Sequence, residues 1–401
     1  MTKEEYKEVQ IGPKEIEIPK EWETKKIAEV CKNRDNEREP VKSSNREKGP
    51  IPYYGATGQV DSVNDYIFDD KLVLIGEDGA DWSGLANTAY IIEGKSWVNN
   101  HAHVLKCEEI NEEYLKNLIN LMDLSYTIVG TNRGKLNKKD LMNLEIVVPP
   151  LPEQRNIAEI LSTVDEAIQQ TDEIIEKSKQ LKKGLMQDLL TKGIEHDKFK
   201  KVKLGPKEVD IPLDWHLKNM GKLSNKIKGK KPKKIEEGKF KNSIPYILIE
   251  NFDSEEKTQY ADKESSKICK ENDVLMVWDG ASAGDVSIGN KGSIGSTLAA
   301  LRFKEEKLNP WYAYYFLIHS KNILASLLEG TGIPHVPKDL LNFFDFLIPP
   351  LPEQKKIAEI LSTVDDKIQK EKNYKEKLQE LKKGLMQDLL TGKVRVNDLV
   401  N

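Results

Sequence analysis

The chain has 401 residues, 38% hydrophobic and 32% charged, enough for two or more domains with cores of their own and for long charged helices. The opening MTKEEYKEVQ is charged from its third residue, and the longest apolar run, WYAYYFLI (311–318), is short, so neither a secretory leader nor a membrane span is expected. Three widely separated cysteines, Cys31, Cys107 and Cys269, form no CxxC pair, which argues against a disulfide framework or a zinc site and points to the reducing cytoplasm.

In chain order, the first block reads as mixed α/β. KLVLIG (71–76), TAYII (88–92) and AHVLK (102–106) have the look of strands, and EEYLKNLINLMD (112–123) that of an amphipathic helix. Pro149 and Pro150 then end this block, Pro152 is acceptable in a first helical turn, and Glu153 suits a helix N-terminus. No proline follows before Leu190. Ile157, Leu161, Val164, Ile168, Thr171 and Ile175 step by four and three, a coiled-coil seam. Ile174, Ser178, Leu181 and Leu185 carry it on in a shifted phase, as a stammer would. Gly193 is the expected stop, and the rod is about 57 Å long at about 1.5 Å per residue. The second block repeats the plan, with strands at PYILIE (245–250), DVLMVW (273–278) and TLAALRF (297–303) and a helix at 310–328 whose aromatics are expected in the core. A second long helix follows, with seam positions Ile357, Leu361, Val364, Ile368, Leu381 and Leu385, the same shift at Tyr374 and Leu378, and a stop at Gly392.

The organising feature is a duplication 200 residues long. PPLPEQRNIAEILSTVDEAIQ (149–169) returns at 349–369 with 17 of 21 positions identical, and LKKGLMQDLLT (181–191) returns unchanged at 381–391. IGPKEIEIPKEW (11–22) is echoed by LGPKEVDIPLDW (204–215). This period is too long for a solenoid. Segment boundaries follow: 1–148, a variable domain; 149–193, a repeat helix; 194–348, a second variable domain; 349–401, the second repeat helix. The helices have closely similar apolar stripes and can bury them against one another; if antiparallel, they would hold the two variable blocks at opposite ends of the rod, and the alternative is that each helix packs on its own domain. Lys182, Lys183, Gln187 and Asp188, read as solvent-facing, also recur, as presenting one surface twice to two copies of a partner would require.

Charge is uneven. Residues 1–150 hold 20 Lys and Arg against 27 Asp and Glu, residues 201–350 hold 23 against 20, and 218–234 carry eight lysines and no acid. The net charge of −4 is awkward for a nucleic-acid-binding protein, whose usual footprint is basic.

PPLPEQ followed by IAEILSTVD, twice, and the two LKKGLMQDLLT endings make the chain resemble, along essentially its whole length, the specificity subunit of type I restriction-modification systems. IPYYGATG (51–58), LVLIGEDGA (72–80), VNNHAHVL (98–105), DVLMVWDGASAG (273–284) and GTGIPHVPKDL (330–340) are similar to that family's target-recognition motifs. The resemblance implies an α+β fold in which two target-recognition domains are joined by two long helices in an antiparallel coiled coil with pseudo-twofold symmetry. It implies that each domain reads half of a split sequence in double-stranded DNA, that the helices set the spacing and dock two modification subunits, and that restriction subunits join them. Methyl transfer with S-adenosylmethionine and cleavage with ATP and Mg would belong to those partners, leaving this chain without a cofactor or metal of its own.

Duplex reading needs side chains that reach base edges and cations that hold phosphates. The loops offering such groups hold Asn33, Arg34, Arg38, Asn99, Asn100, His101, Asn132, Arg133 and Lys135 in the first block. In the second they hold Lys226, Lys228, Lys230, Lys231, Lys233, Ser282, Thr331 and His335. Enzyme motifs are missing. The only Pro-Pro pairs lie between Val148 or Ile348 and a leucine, unlike a methyltransferase's Asp/Asn-Pro-Pro-aromatic, and Gly94-Lys95-Ser96 has Ala89 where a phosphate loop needs its first glycine. His101 and His103 alternate on a strand without a marked ligand cluster and read as loop and core residues rather than metal ligands. A coiled-coil adaptor that touches no DNA is the alternative, favoured mildly by the acidic first block.

Overall fold

A computed structural model describes residues 5–130, 134–205, 207–252, 258–330, 332 and 334–396. Packing divides the chain into two units: residues 1–173 with 372–401, and residues 174–371. Each unit thus holds part of each long helix.

In the first unit a hairpin, Tyr6–Ile11 with Lys14–Pro19, turns at Gly12 in the left-handed region, φ 57°. A four-stranded antiparallel sheet runs Cys31–Asn33, Ala102–Cys107, Leu72–Gly76, Ala89–Ile92. Leu72–Gly76 is buried throughout, as its uninterrupted apolar run implies. A second sheet holds Gly58–Val63, Ile51–Gly55, Lys95–Val98 and Phe68–Asp69. The block closes where Glu23–Lys26 pairs with Glu145–Val148, so the chain enters and leaves it side by side.

The second unit repeats the plan. Phe199–Leu204 and Lys207–Pro212 form its hairpin, with Gly205 at φ 59°. The central sheet runs Ser224–Lys228, Leu298–Phe303, Val274–Val277, Val286–Ser287. A five-stranded sheet lies beside it, and His216–Asn219 pairs with Asp345–Ile348. The helix expected over 310–328 breaks at Ser320 into Pro310–His319 and Lys321–Ser326. Tyr312, Tyr315 and Phe316 are in the core, while Trp311 is 38% exposed.

The long helices span Leu151–Leu189 and Leu351–Leu389 and are followed by Gly193 and Gly392 at φ 70° and 73°. In the first unit Ile157 and Leu161 share a core with Met386, Leu389 and Leu390. In the second, Ile357 and Leu361 share one with Met186 and Leu190. Start meets end each time, so the pairing is antiparallel. Asp165 meets Lys382 in the first unit and Asp365 meets Lys182 in the second, both at 2.5 Å. Asp172 with Lys375 at 2.6 Å keeps the same register.

Two expectations about the helices need correcting. There is no stammer: the buried face continues unshifted through Thr171, Ile175 and Ser178. Leu181 and Leu381, placed in the seam by the shifted phase, are 56% and 51% exposed, and Ile174 and Tyr374 also face outward. The in-phase positions hold Lys182 and Lys382, whose butylene stems cover the seam while their ammonium groups reach aspartates. Lys182 is therefore an inward residue with a side chain only 19% exposed, not a solvent-facing one. Lys183, Gln187 and Asp188 are exposed.

The near-identity of PPLPEQ has a physical reason. Glu153 is buried and accepts Trp22 Nε1 at 2.9 Å and Arg395 Nε at 2.7 Å. Glu353 accepts Trp215 Nε1 at 3.0 Å, the Ile194 N–H at 2.9 Å, and lies 2.9 Å from His196 Nε2. Gln154 and Gln354 accept the backbone N–H groups of Asn111 and Asn309 and donate to the carbonyls of Pro149 and Pro349. Asn111 and Asn309 in turn cap their helices, and Tyr114 and Tyr312 donate to the carbonyls of Val147 and Leu347. Each duplicated pair of acid and amide thus ties a long helix to the block packed on it. Among the described residues no helix is long and apolar enough to cross a membrane.

Candidate nucleic-acid interface

In the first unit, four loops converge at one end of the central sheet. The Glu77 N–H donates to the His101 carbonyl at 2.9 Å, and the Leu136 N–H donates to the Glu77 carbonyl at 2.8 Å. Asp78 bridges Lys135. Beneath them lies a buried ionic cluster. His103 Nδ1 is 2.6 Å from Asp35 Oδ2 and its Nε2 is 2.8 Å from the Leu136 carbonyl. Arg38 spans Glu77 and the Ala102 carbonyl at 2.5 and 2.6 Å, and Lys135 Nζ is 2.7 Å from Glu77.

Burial pushes both carboxyls up, but hydrogen bonds outweigh it. Asp35, bonded by His103 and the Val104 N–H, stays below its ordinary value, and so does Glu77, bonded by Lys135 and Arg38. Both nitrogens of His103 thus face oxygen atoms, Asp35 Oδ2 on one side and the Leu136 carbonyl on the other. Asp35, Glu77 and His103 place ligand-type atoms together, with both ring nitrogens engaged and the cations of Arg38 and Lys135 against Glu77.

The second unit converges at the equivalent place. The Gly280 N–H donates to the Pro334 carbonyl at 3.0 Å, the Val336 N–H to the Trp278 carbonyl at 2.8 Å, and Asp279 bridges His335. Trp278 and Asp279 thus stand where Glu77 and Asp78 stand. Here the buried acid is replaced by an aromatic face: Lys226 Nζ lies 4.2 Å from the Trp278 ring centroid, and burial, with Lys228 beside it, lowers its affinity for a proton. Lys228 meets Asp279 at 2.7 Å. Lys230, Lys231 and Lys233 are exposed.

The sequence candidates divide accordingly. Arg38, His101 and Lys135 come together in the first unit, and Lys226, Lys228 and His335 in the second. Arg38 is committed to the buried cluster, and Arg34 to Glu37 and Asp70 over the Phe68 ring. Asn99 is buried and accepts the His101 N–H, and Asn33 accepts the Asp35 N–H, so both shape their loops. Asn100 is exposed, Ser282 half-buried, and His101 is held by Asp78 at 2.8 Å. Asn132, Arg133 and Thr331 lie outside the described residues. Sequence reading missed Asp78 and Asp279. Their signal was present as the Asp-Gly-Ala shared by LVLIGEDGA and WDGASAG.

Two α+β domains of one plan each carry cationic loops at the same end of the central sheet and each pack on paired long helices. Residues 19–180 and 212–380 match the family model for the type I restriction modification DNA specificity domain, and the chain belongs to that family. It is 33% identical over 279 residues to a Methanocaldococcus jannaschii protein described as the MjaX specificity subunit of a type I restriction enzyme, covering 67% of this chain and 63% of that one. A second protein of that organism, the MjaVIII specificity subunit, is 35% identical over 182 residues, 45% of this chain and 43% of its own length. The chain thus spans less than two thirds of either. A Haemophilus influenzae protein described as a type I specificity subunit is 29% identical over 353 residues, 85% of this chain and 87% of that one. In structure, the chain is similar to a type I restriction-modification S subunit from M. genitalium, with TM-score 0.65 and 15% identity over 92% of this chain and 96% of that one. At that identity the likeness establishes the fold.

Proposed function

We propose that this chain is the non-catalytic DNA-recognition subunit of a type I restriction-modification complex, each domain reading one half of a bipartite double-stranded target. The observation that carries this reading is the repetition of loops at one sheet edge in two blocks of divergent sequence, held by helices of near-identical sequence. The helices set the spacing between half-sites. Lys183, Gln187 and the exposed Leu181, with their counterparts Lys383, Gln387 and Leu381, offer one face twice, suited to two modification subunits. Restriction subunits join that assembly, S-adenosylmethionine and ATP with Mg are bound by the partners, and the complex works in the cytoplasm. Direct base contact falls to exposed or half-exposed groups such as Asn100, His101, Lys135 and His335.

The test is to express the chain with its modification subunit and sequence the methylated bases of the host. The expected result is one motif of two short specified halves around an unspecified spacer. A complex whose methylation pattern is the same with and without the chain would instead identify an adaptor.

Lys228, Lys230 and Lys231 serve phosphates rather than bases in this reading. Changing all three to Ala should weaken binding to every sequence alike and lower the slope of log affinity against log salt by about 2 to 3. Titration of the assembled complex on target and non-target duplexes at several salt concentrations checks this. A loss confined to the target would assign these lysines to base reading.

A further inference from the structure

The cysteines that sequence spacing kept apart do not all remain apart. Cys31 and Cys107 stand directly opposite on the antiparallel strands Cys31–Asn33 and Ala102–Cys107, with their Sγ atoms 3.7 Å apart. Backbone bonds identify the register. The Glu108 N–H donates to the Val30 carbonyl and the Arg34 N–H to the Val104 carbonyl, which makes Cys31 and Cys107 a non-hydrogen-bonded pair. In such pairs the Cα atoms are about 4.5 Å apart, inside the roughly 4.4–6.8 Å that a disulfide spans. Closing the bond requires side-chain rotation, not movement of the strands. Cys31 is buried and Cys107 partly exposed.

We propose that Cys31 and Cys107 form a reversible intradomain disulfide, an oxidation site that staples the first domain without the second. A peroxide is the oxidant. The Cys107 thiolate attacks a peroxide oxygen, the O–O bond breaks, and the departing hydroxide takes a proton to leave as water. Cys107 then carries a sulfenic acid. Cys31 attacks its sulfur, the S–O bond breaks, and the hydroxide released takes the Cys31 proton. Two thiols and one hydrogen peroxide give one disulfide and two waters, and a dithiol reductant reverses the result.

The order follows from access and charge. The hydrogen bond with Cys107, then burial, then the carboxylates of Glu108 and Glu112 hold the Cys31 thiol protonated, so the partly exposed sulfur reacts first and the buried one resolves it. Cys269 is an internal control. It is buried in the second domain with its Sγ against the carbonyls of Asn290 and Gly292, burial first of all raises its thiol to about 11, and neither other cysteine belongs to its unit.

The staple would close a loop between residues 76 positions apart, joining strands that run into the loops carrying Arg34 to Arg38 and Asn99 to His101. The experiment treats the full-length folded chain with hydrogen peroxide, blocks free thiols, and maps peptides without reduction. The expected result is a Cys31–Cys107 cross-linked peptide, a mass loss of two hydrogens, and one remaining free thiol, at Cys269. Dithiothreitol should restore all three thiols. Oxidation should raise the melting midpoint of the first domain by roughly 5–15 °C. Cys107→Ser should abolish both effects, and it perturbs the core less than a change at buried Cys31. Cys107 carried on to sulfinic acid with Cys31 still free, cross-links only between chains, or a cross-link without a raised midpoint would each overturn the proposal. None of these readouts uses DNA, so they fail or succeed independently of the proposed function.

Discussion

Glu77→Ala should cost the first domain about 3–5 kcal/mol, because it leaves the Arg38 guanidinium in a buried place with one carboxylate instead of two. Glu77 has a side chain only 9% exposed and is the shared partner of Arg38 and Lys135, with His103 3.8 Å away. Glu77→Gln should be nearly as damaging, since what is lost is charge rather than volume. Hydrogen exchange checks both variants: protection should fall in Leu72–Gly76 and Ala102–Cys107 and hold in Val274–Val277 and Leu298–Phe303. Uniform protection in both units would show that the cluster contributes nothing local. The same acids set a pH dependence. Asp35 and Glu77 are held below their ordinary values of 3.8 and 4.5, so their contribution is complete above those values. It is lost as pH falls below those ordinary values and through the depressed folded ones. The first domain should therefore lose protection on acidification in that range, and Glu77→Ala should flatten the loss. The second domain, with Trp278 at the equivalent place, lacks this acid.

Exchanging residues 23–148 for the matching block of another specificity subunit should replace one half of the methylated motif and leave the other half unchanged. The structure supplies the junctions. Glu23 stands opposite Val148 and Lys26 opposite Glu145, so both cuts fall on one antiparallel pair and the incoming block brings both of its strands. Trp22, Glu153 and Gln154 stay behind as the mount. The incoming block must present a backbone N–H to Gln154, as Asn111 does here and as Asn309 does to Gln354 in the second unit. Sequencing methylated bases in a host carrying the hybrid with its modification subunit gives the answer. A change in both halves together would refute independent reading by the two domains.

The duplication, the central strands and both long helices were legible from sequence, because each has a local signal: repetition, an apolar run, or a proline-free stretch with period near 3.5. What escaped was set by contacts distant in sequence. Arg34 and Arg38 in NRDNER look like free donors, yet besides Glu37 and Asp35 within that motif they pair with Asp70 and Glu77, more than thirty residues later. Glu153 looked like a residue favoured by the helix dipole and is instead the buried acceptor for Trp22 and Arg395. The seam was misread at Leu181 because a leucine out of phase outscores a lysine in phase, although Lys182 is the residue with a partner. The blocks diverge in sequence, but Asn111 with Tyr114 and Asn309 with Tyr312 keep one cap and one buried hydroxyl in both. Two matched positions amid divergence fall below what comparison of the two halves can register.

The division of the long helices between units also bears on synthesis. Domains generally fold as they emerge, N-terminal first, at about 5–20 residues per second. Here the second unit is one continuous stretch, residues 174–371, while the first needs residues from 372 onward. Leu385, Met386, Leu389 and Leu390 fill its core, and Arg395 neutralises its buried Glu153. The half that leaves the ribosome first is thus completed last, after a wait of tens of seconds with the apolar stripe of its helix bare and Glu153 lacking its arginine. During translation this protein exposes its own seam to whatever is near, which makes the interval before residue 372 emerges the point at which chaperones, or a neighbouring nascent chain with the same helix, have access to it.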